Sequence, residues 1–274
     1  WIQLSNKASL FQEAAQAKGV IPKIKRCDMT QKNKQLLGIW IIGMFGVLAV
    51  NIFVVPGLLR NQEIPISIEV AVLLSTIQSS FLLVLASWGG CKLANQLGLG
   101  APAVQAFSTH ESIAQALKPQ ILPGIIGGIV GATILVVASF AIPAQLNHPD
   151  SLQTFPLLVK LLYGGITEEI LLRWGVMSFL LWILWWLFQK RTSSPKTSIV
   201  VVAILLSSIL FALGHLPTAA LIAGESLTIS SLAYVISFNS LFGIVAGLLF
   251  WRYGLEAAII AHLGAHLFSH YFVV

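Results

Sequence analysis

Two adjacent carboxylates and an arginine interrupt one of the most apolar stretches of the sequence. Glu168 and Glu169 lie side by side in the run that begins near Leu157, and Arg173 follows them. The chain has only ten acidic residues, so two neighbours within an apolar run are unusual. If the run spans a membrane, each charged side chain near the bilayer centre is costly, and such groups suggest a functional site. These three residues are the first candidates for chemistry.

Helical spacing separates the roles of the two carboxylates. Glu169 and Arg173 are four residues apart, so they share a helix face and can form an ion pair. Glu168 points about 100° away from Glu169, because a helix has about 3.6 residues per turn. Pairing neutralises Glu169 and leaves Glu168 free to act as a general base on water. The alternative is a buried Glu–Arg network that only holds helices together.

Histidines in two further apolar runs add to these candidates. His215 ends one run, and His262 and His266 lie four residues apart in the last run, on one helix face. Any one of them alone is explained by a hydrogen bond between helices. Three apolar runs that each carry ionisable groups are explained more simply by a polar cavity where the runs meet.

The composition indicates that these runs cross a membrane. Of the 274 residues, 57% are hydrophobic and only 9% are charged, whereas a typical soluble domain has about 25% charged residues. Lipid leaves only helices and closed β-barrels as spanning structures. Barrel strands alternate apolar and polar residues, but here the runs are continuous, as in 41–55 and 121–142. The sequence therefore predicts an all-α, polytopic helix bundle.

The apolar runs predict about seven to eight membrane spans. The stretch 101–118 is less apolar and is expected to form an interfacial helix, and a short or re-entrant helix could raise the count to eight. The seven predicted spans cover residues 36–59, 67–92, 121–143, 156–188, 198–215, 229–251 and 255–273.

Basic residues predict the orientation and a division into two parts. Seven of the sixteen Lys and Arg residues fall between Lys7 and Lys34, which defines a basic tail, 1–35, before a transmembrane domain, 36–274. Lys and Arg accumulate on the cytoplasmic side of membrane proteins, so the N-terminus is expected to be cytoplasmic or stromal. The tail lacks a basic motif with interleaved aromatic residues, so nucleic acid is not expected as a partner.

The three groups of candidates resemble the successive motifs of the CAAX-protease and bacteriocin-processing family. The family pattern Glu-Glu-x-x-x-Arg matches Glu168 to Arg173, and the pattern Phe-x-x-x-His matches Phe211 to His215. The final pattern, His followed four residues later by Asn or Asp, matches His262 but has His266 in the second place. The resemblance covers about 157–274, and its strength lies in three motifs in order on apolar helices.

The resemblance implies an intramembrane endopeptidase. Glu168 and His215 would hold and activate a water molecule, and His262 and residue 266 would stabilise the oxyanion of the tetrahedral intermediate. Glu169 and Arg173 would be a supporting pair. The expected partners are membrane lipid and a peptide or membrane-protein substrate, and no cofactor is expected.

The histidine at position 266 leaves a second reading open. An Asn amide donates a hydrogen bond at any pH, whereas a neutral His donates through only one ring nitrogen. His266 is expected either to serve as a donor with a different pH dependence, or to mark a family member that lost proteolysis. Such a member would act as a membrane scaffold, an assembly factor or an immunity factor.

Two other chemistries use the same residue types. A zinc site could take its ligands from Glu168, His215, His262 and His266, although no H-E-x-x-H motif is present. A transporter or proton relay also uses buried Glu and His. It would be favoured by helices that Gly and Pro break in corresponding positions, and only the region of Pro123 and Gly127 offers such a break.

Overall fold

The described part of the chain, in a computed structural model, comprises residues 29–60, 63–147, 155–224 and 226–270. Within these ranges the chain is helical with no β-strand, which confirms the predicted all-α class. The predicted basic tail lies largely in residues 1–28, outside this part. The helices are α1 (Met29–Phe53), α2 (Val55–Leu59), α3 (Ile68–Leu97), α4 (Pro102–Thr109), α5 (Ile113–Phe140), α6 (Leu157–Gln189), α7 (Thr197–Gly214), α8 (Leu216–Ala223), α9 (Ile229–Tyr253) and α10 (Leu255–Ser269).

Six segments of the described chain are long and apolar enough to cross a membrane. They are α1 with α2, α3, α5, α6, α7 with α8, and α9. Helix α10 is apolar but has only 15 residues, which corresponds to about 22 Å at 1.5 Å per residue. It is thus shorter than the roughly 30 Å hydrocarbon core of a bilayer. The polytopic bundle is confirmed, with six long spans and one shorter apolar helix.

Burial in the bundle has the pattern expected in lipid. Large apolar side chains are exposed along the outside, for example Leu73, Ile77 and Phe81 of α3. The charged side chains of Glu169 and Arg173 are completely buried inside. A water-soluble protein of this size would not expose so many large apolar side chains, so the chain is an integral, multi-pass membrane protein.

Helices α5 and α10 make the most extensive contact of the bundle. A Cβ atom added at Gly128 would lie 3.0 Å from the Cα atom of Gly264, so the two backbones touch at this crossing. Small residues allow this close approach between membrane helices.

Helix α5 continues through both Pro119 and Pro123. The break near Pro123 that would have favoured a transporter is therefore absent from this helix.

One end of the bundle is closed by contacts between loops and helix ends. The carboxylate Oε1 of Glu256, at the start of α10, accepts hydrogen bonds from the backbone N–H groups of Ala103 (2.8 Å) and Val104 (3.0 Å) in the first turn of α4. The predicted interfacial segment 101–118 is thus divided between the short helix α4 and the start of α5. Helix α10 begins at this closed end. His262 and His266 therefore lie about two and three helical turns away from that end.

The fifth span is longer than predicted. The prediction ended it at His215, but the chain turns there only slightly and continues as α8 to Ala223. Pro217 in the first turn of α8 explains the interruption, because proline cannot supply a backbone N–H to the preceding turn. His215 therefore lies inside the span of 27 residues rather than at its end, nearer the depth of Glu168 and His262.

Candidate active site

The segment of α6 that carries the acidic motif has a wider turn than an α-helix. Residues Lys160–Glu168 and Ile170–Met177 form two π-helical stretches that meet at Glu169. In such a helix the backbone N–H bonds to the carbonyl five residues earlier, and short π-helical segments occur often at functional sites. The wide turn directs side chains five residues apart, as well as four, towards the same neighbour.

Glu169 joins two of the three motifs. Its Oε2 atom lies 3.1 Å from Nε of Arg173, and its Oε1 atom lies 2.9 Å from Nδ1 of His262. Glu169 and Arg173 have no exposed surface, and His262 is 4% exposed. The predicted ion pair within α6 is thus present, and the same carboxylate also fixes the imidazole of His262 on α10.

The bond to Glu169 determines what the other ring nitrogen of His262 can do. An ionised carboxylate only accepts hydrogen bonds, so Nδ1 of His262 carries the proton between them. The Nε2 atom is then a hydrogen-bond acceptor when the ring is neutral and a donor only when the ring is an imidazolium.

The two histidines of α10 converge on a glycine of α6. Their rings stack with centroids 4.9 Å apart. A Cβ atom added at Gly164 would lie 2.9 Å from Nε2 of His266 and 3.7 Å from Nε2 of His262. Both Nε2 atoms therefore lie above Gly164, a position without a side chain. His266 is also within electrostatic reach of Lys160 and His215.

His215 approaches the same region from α7. Its Nδ1 atom lies 2.9 Å from the carbonyl oxygen of Phe211, one turn earlier. A carbonyl only accepts, so Nδ1 carries the proton and Nε2 of the neutral ring is left as an acceptor. The ring of Phe211 lies between the motifs, with its centroid 4.7 Å from that of His215, 6.1 Å from that of His262 and 5.1 Å from the guanidinium carbon of Arg173.

Glu168 is half-buried on the turn beside Gly164. Among the described residues it has no hydrogen bond or ion pair, and its charge acts on the hydroxyl of Tyr163, five residues earlier. It makes no direct contact with His215 in the described part of the chain. Of the two carboxylates in the motif, Glu169 is thus paired with Arg173, and Glu168 has no basic partner among the described residues, as its spacing from Arg173 predicts.

Three residues near the site were missed by sequence reasoning. Lys160 and Tyr163 lie on α6 within electrostatic reach of His266 and Glu168, respectively. Phe242 of α9 packs against His262 with ring centroids 4.5 Å apart. A lysine inside an apolar run was a signal for Lys160. Phenylalanine is too common in membrane helices for position 242 to stand out.

No three His, Cys, Asp or Glu side chains in the described ranges are arranged to hold a metal ion. Glu169 holds Nδ1 of His262, so Nε2 is the ring atom of His262 that remains as a possible metal ligand. The donor set of the zinc alternative is therefore not gathered around one point here.

Comparison with known proteins supports the motif-based assignment. Residues 150–268 match the family model described as type II CAAX prenyl endopeptidase, Rce1-like. No curated protein and no solved structure matches the chain. The matched range includes all six predicted site residues and ends at Phe268, two residues after His266. This match confirms the predicted similarity of residues 150–268 to the CAAX-protease and bacteriocin-processing family.

Proposed function

We propose that this protein is an intramembrane endopeptidase that hydrolyses a peptide bond with a water molecule activated by Glu168 and His215. The observation that carries the proposal is the meeting of all three motifs around Gly164 and Phe211. There, the Nε2 atoms of His262 and His266 lie over a position without a side chain. The family match supports a peptide hydrolase in general, and the arrangement of charges supports the roles given below.

Glu168 is the general base of the proposed reaction. It has no ion-pair partner in the described chain, whereas Glu169 is neutralised by Arg173 and His262. The acceptor Nε2 of His215 orients the water. Glu168 removes a proton from that water, and the oxygen forms a bond to the carbonyl carbon of the substrate. When the C–N bond breaks, Glu168 returns the proton to the leaving amine.

His262 and His266 are the proposed donors to the oxyanion. His262 donates through Nε2 when its ring is protonated at both nitrogens, and Glu169 fixes the orientation of that ring through Nδ1. His266 donates through Nε2 in either charge state, provided the neutral ring carries its proton there. A preorganised donor in a site that excludes water lowers the barrier by about 3–4 kcal/mol. Glu169 and Arg173 act indirectly, by positioning His262.

The test compares the wild type with Glu168→Gln, both purified and reconstituted into lipid nanodiscs. The first substrates are prenylated peptides ending in a CAAX sequence, because the matched family model specifies this class, followed by the same peptides without the prenyl group. We expect cleavage by the wild type and none by Glu168→Gln. The matched control is Glu63→Gln, which changes an exposed carboxylate in a loop and is expected to cleave normally. A folded, active Glu168→Gln enzyme would rule out the assigned base.

The second candidate function is a non-proteolytic membrane scaffold, assembly factor or immunity factor. The observation in its favour is His266 at a position where the family pattern has Asn or Asp. A wild type that remains folded but cleaves neither set of peptides, with or without the prenyl group, would favour this function.

A further inference from the structure

The loop that joins α6 to α7 has a fixed shape at the closed end of the bundle. Nε2 of Gln189 donates to Oγ of Ser193 (3.1 Å), and Oε1 of Gln189 accepts from the backbone N–H of Lys196 (2.7 Å). The indole Nε1 of Trp185 donates to the carbonyl oxygen of Ser193 (2.6 Å). Both ends of the loop are thereby tied to the last turns of α6.

The loop borders an open cavity of about 430 Å³ whose lining is about half polar. Two lysines, two hydroxyl side chains, an amide and one aromatic ring form its wall, namely Lys190, Lys196, Thr192, Ser193, Gln189 and Phe188. This volume is large enough for a phosphate group with its ester substituents. The hydroxyls of Thr192 and Ser193 already donate to the backbone carbonyls of Gln189 and Ser194. The ammonium groups of the two lysines are the donors suited to phosphate oxygens.

The positive charge on this wall is not used by the protein. Lys190 and Lys196 are exposed, and neither has a carboxylate within ion-pair distance in the described part of the chain. The third cation of the loop, Arg191, is already engaged, because its Nη2 donates to Oε1 of Gln96 (2.7 Å) and its guanidinium lies 5.2 Å from the ring of Trp185. The two lysines therefore remain to bind an anion.

The N-terminus of α7 adds to the positive potential beside the cavity. This helix of 18 residues begins at Thr197, directly after Lys196, and no side chain caps it. The N–H groups of an uncapped first turn and the helix dipole both favour an anion nearby. The cavity thus combines the ammonium groups of two lysines with a helix N-terminus.

The surroundings place the cavity at the depth of lipid headgroups. The last turns of α6 carry Trp182, Trp185 and Trp186, and tryptophan is enriched where the hydrocarbon core meets water. On the lipid side, Phe188 is 73% exposed and Leu187 is 54% exposed. An anion held between the lysines would therefore have an apolar surface beside it for acyl chains.

We propose that this cavity binds the phosphate-bearing headgroup of an anionic phospholipid, whose acyl chains lie along Leu187 and Phe188. Basic pockets between membrane helices are suited to such headgroups. Free phosphate has the same anionic chemistry but gains nothing from the exposed apolar side chains, so the lipid is the favoured occupant. The site is separate from the proposed active site, and its occupancy does not depend on peptidase activity.

The test uses phosphatidylglycerol as the probe and phosphatidylcholine as the neutral reference. The purified protein in phosphatidylcholine nanodiscs is titrated with phosphatidylglycerol, and bound lipid is counted by native mass spectrometry after release into detergent. We expect selective retention of phosphatidylglycerol by the wild type. Lys190→Gln with Lys196→Gln should weaken it roughly thirtyfold, since each lysine near a membrane surface contributes about 1 kcal/mol.

The control is Lys92→Gln, at the same end of the bundle but outside the cavity, with its ammonium over the ring of Trp88 at 4.1 Å. It should retain phosphatidylglycerol as the wild type does. Equal retention by the wild type and the double variant would overturn the proposal, as would equal retention of both lipids by the wild type. Full displacement by inorganic phosphate would also overturn it, because the site would then take the free ion.

Discussion

Glu169 is the residue through which the acidic motif and the last motif are coupled. Its buried carboxylate contacts the guanidinium of Arg173 and the imidazole of His262. The side chains of Glu169 and Arg173 have no exposed surface. The spacing of four residues predicted the contact to Arg173. The contact to His262 bridges 93 positions of sequence, and nothing in the local pattern of either helix determines which face of α10 meets α6.

Arg173→Met is expected to destabilise the protein by about 3–5 kcal/mol, because it leaves the Glu169 carboxylate buried with only His262 as a partner. The double variant Glu169→Gln with Arg173→Met should lose less than the sum of the two single changes, since neither charge is then left alone. Unfolding in mixed detergent micelles measures these differences.

The control for these stability measurements is Arg252→Met, which removes an exposed arginine at the end of α9. This change should lower the free energy of unfolding by less than about 1 kcal/mol. Strictly additive effects of Glu169→Gln and Arg173→Met would show that the two charges do not stabilise each other.

His266→Asn is expected to keep peptidase activity and to make it less dependent on pH. An amide has the same hydrogen-bond donors at every pH, whereas an imidazole gains a second donor when it is protonated. His266→Ala, which removes the donor, should lower kcat about 100-fold or more. The measurement is kcat as a function of pH for the three proteins. If His266→Asn is as inactive as His266→Ala, the oxyanion role of position 266 is wrong.

At the scale of elements, the wide turn of α6 is the feature that sequence patterns did not reveal. Apolar periodicity predicted a long helix at 156–188, and α6 covers Leu157–Gln189. The first of its π-helical stretches contains Gly164 and Gly165, which pack directly against His266 and Leu263 of α10. A helix-to-helix contact of this kind depends on the partner, so a single-helix pattern cannot predict it.

Gly164→Ala is expected to reduce peptidase activity strongly while the bundle remains folded. The new methyl group would lie 2.9 Å from Nε2 of His266, at the place where the oxyanion donors converge. The imidazole must then move by several tenths of an ångström, and misplaced donors stabilise the transition state less well. Activity and thermal unfolding are measured on the same samples.

Gly38→Ala is the matched control, because a Cβ atom at Gly38 of α1 meets no atom within 4 Å. It should leave activity unchanged and stabilise the helix slightly, since alanine is the better helix former. Normal activity of Gly164→Ala would show that the space above Gly164 is not used by the reaction.

At the scale of the whole molecule, composition alone was enough for the class of fold. Long continuous apolar runs and few charges permit a helical membrane bundle, and the structure is one. The detail that failed is the end of the fifth span. His215 lies within this span, because the chain continues as α8 after the interruption at Pro217.

The bundle as a whole is expected to cleave peptides without a metal ion. Nδ1 of His262 is bonded to Glu169, and the candidate ligands are not gathered around one point within the described ranges. Treatment with EDTA followed by desalting should therefore leave kcat/KM unchanged. Loss of activity with EDTA that Zn²⁺ restores would instead establish a metal-dependent peptidase.

The central claim is that Glu168 activates water for peptide-bond hydrolysis, and one measurement addresses it directly. The wild type and Glu168→Gln are each incubated with a cleavable peptide in water enriched in the heavy oxygen isotope, and the products are weighed by mass spectrometry. The account predicts that the wild type places one heavy oxygen atom in the new carboxylate and that Glu168→Gln forms no product. Labelled product from Glu168→Gln at the wild-type rate would contradict it.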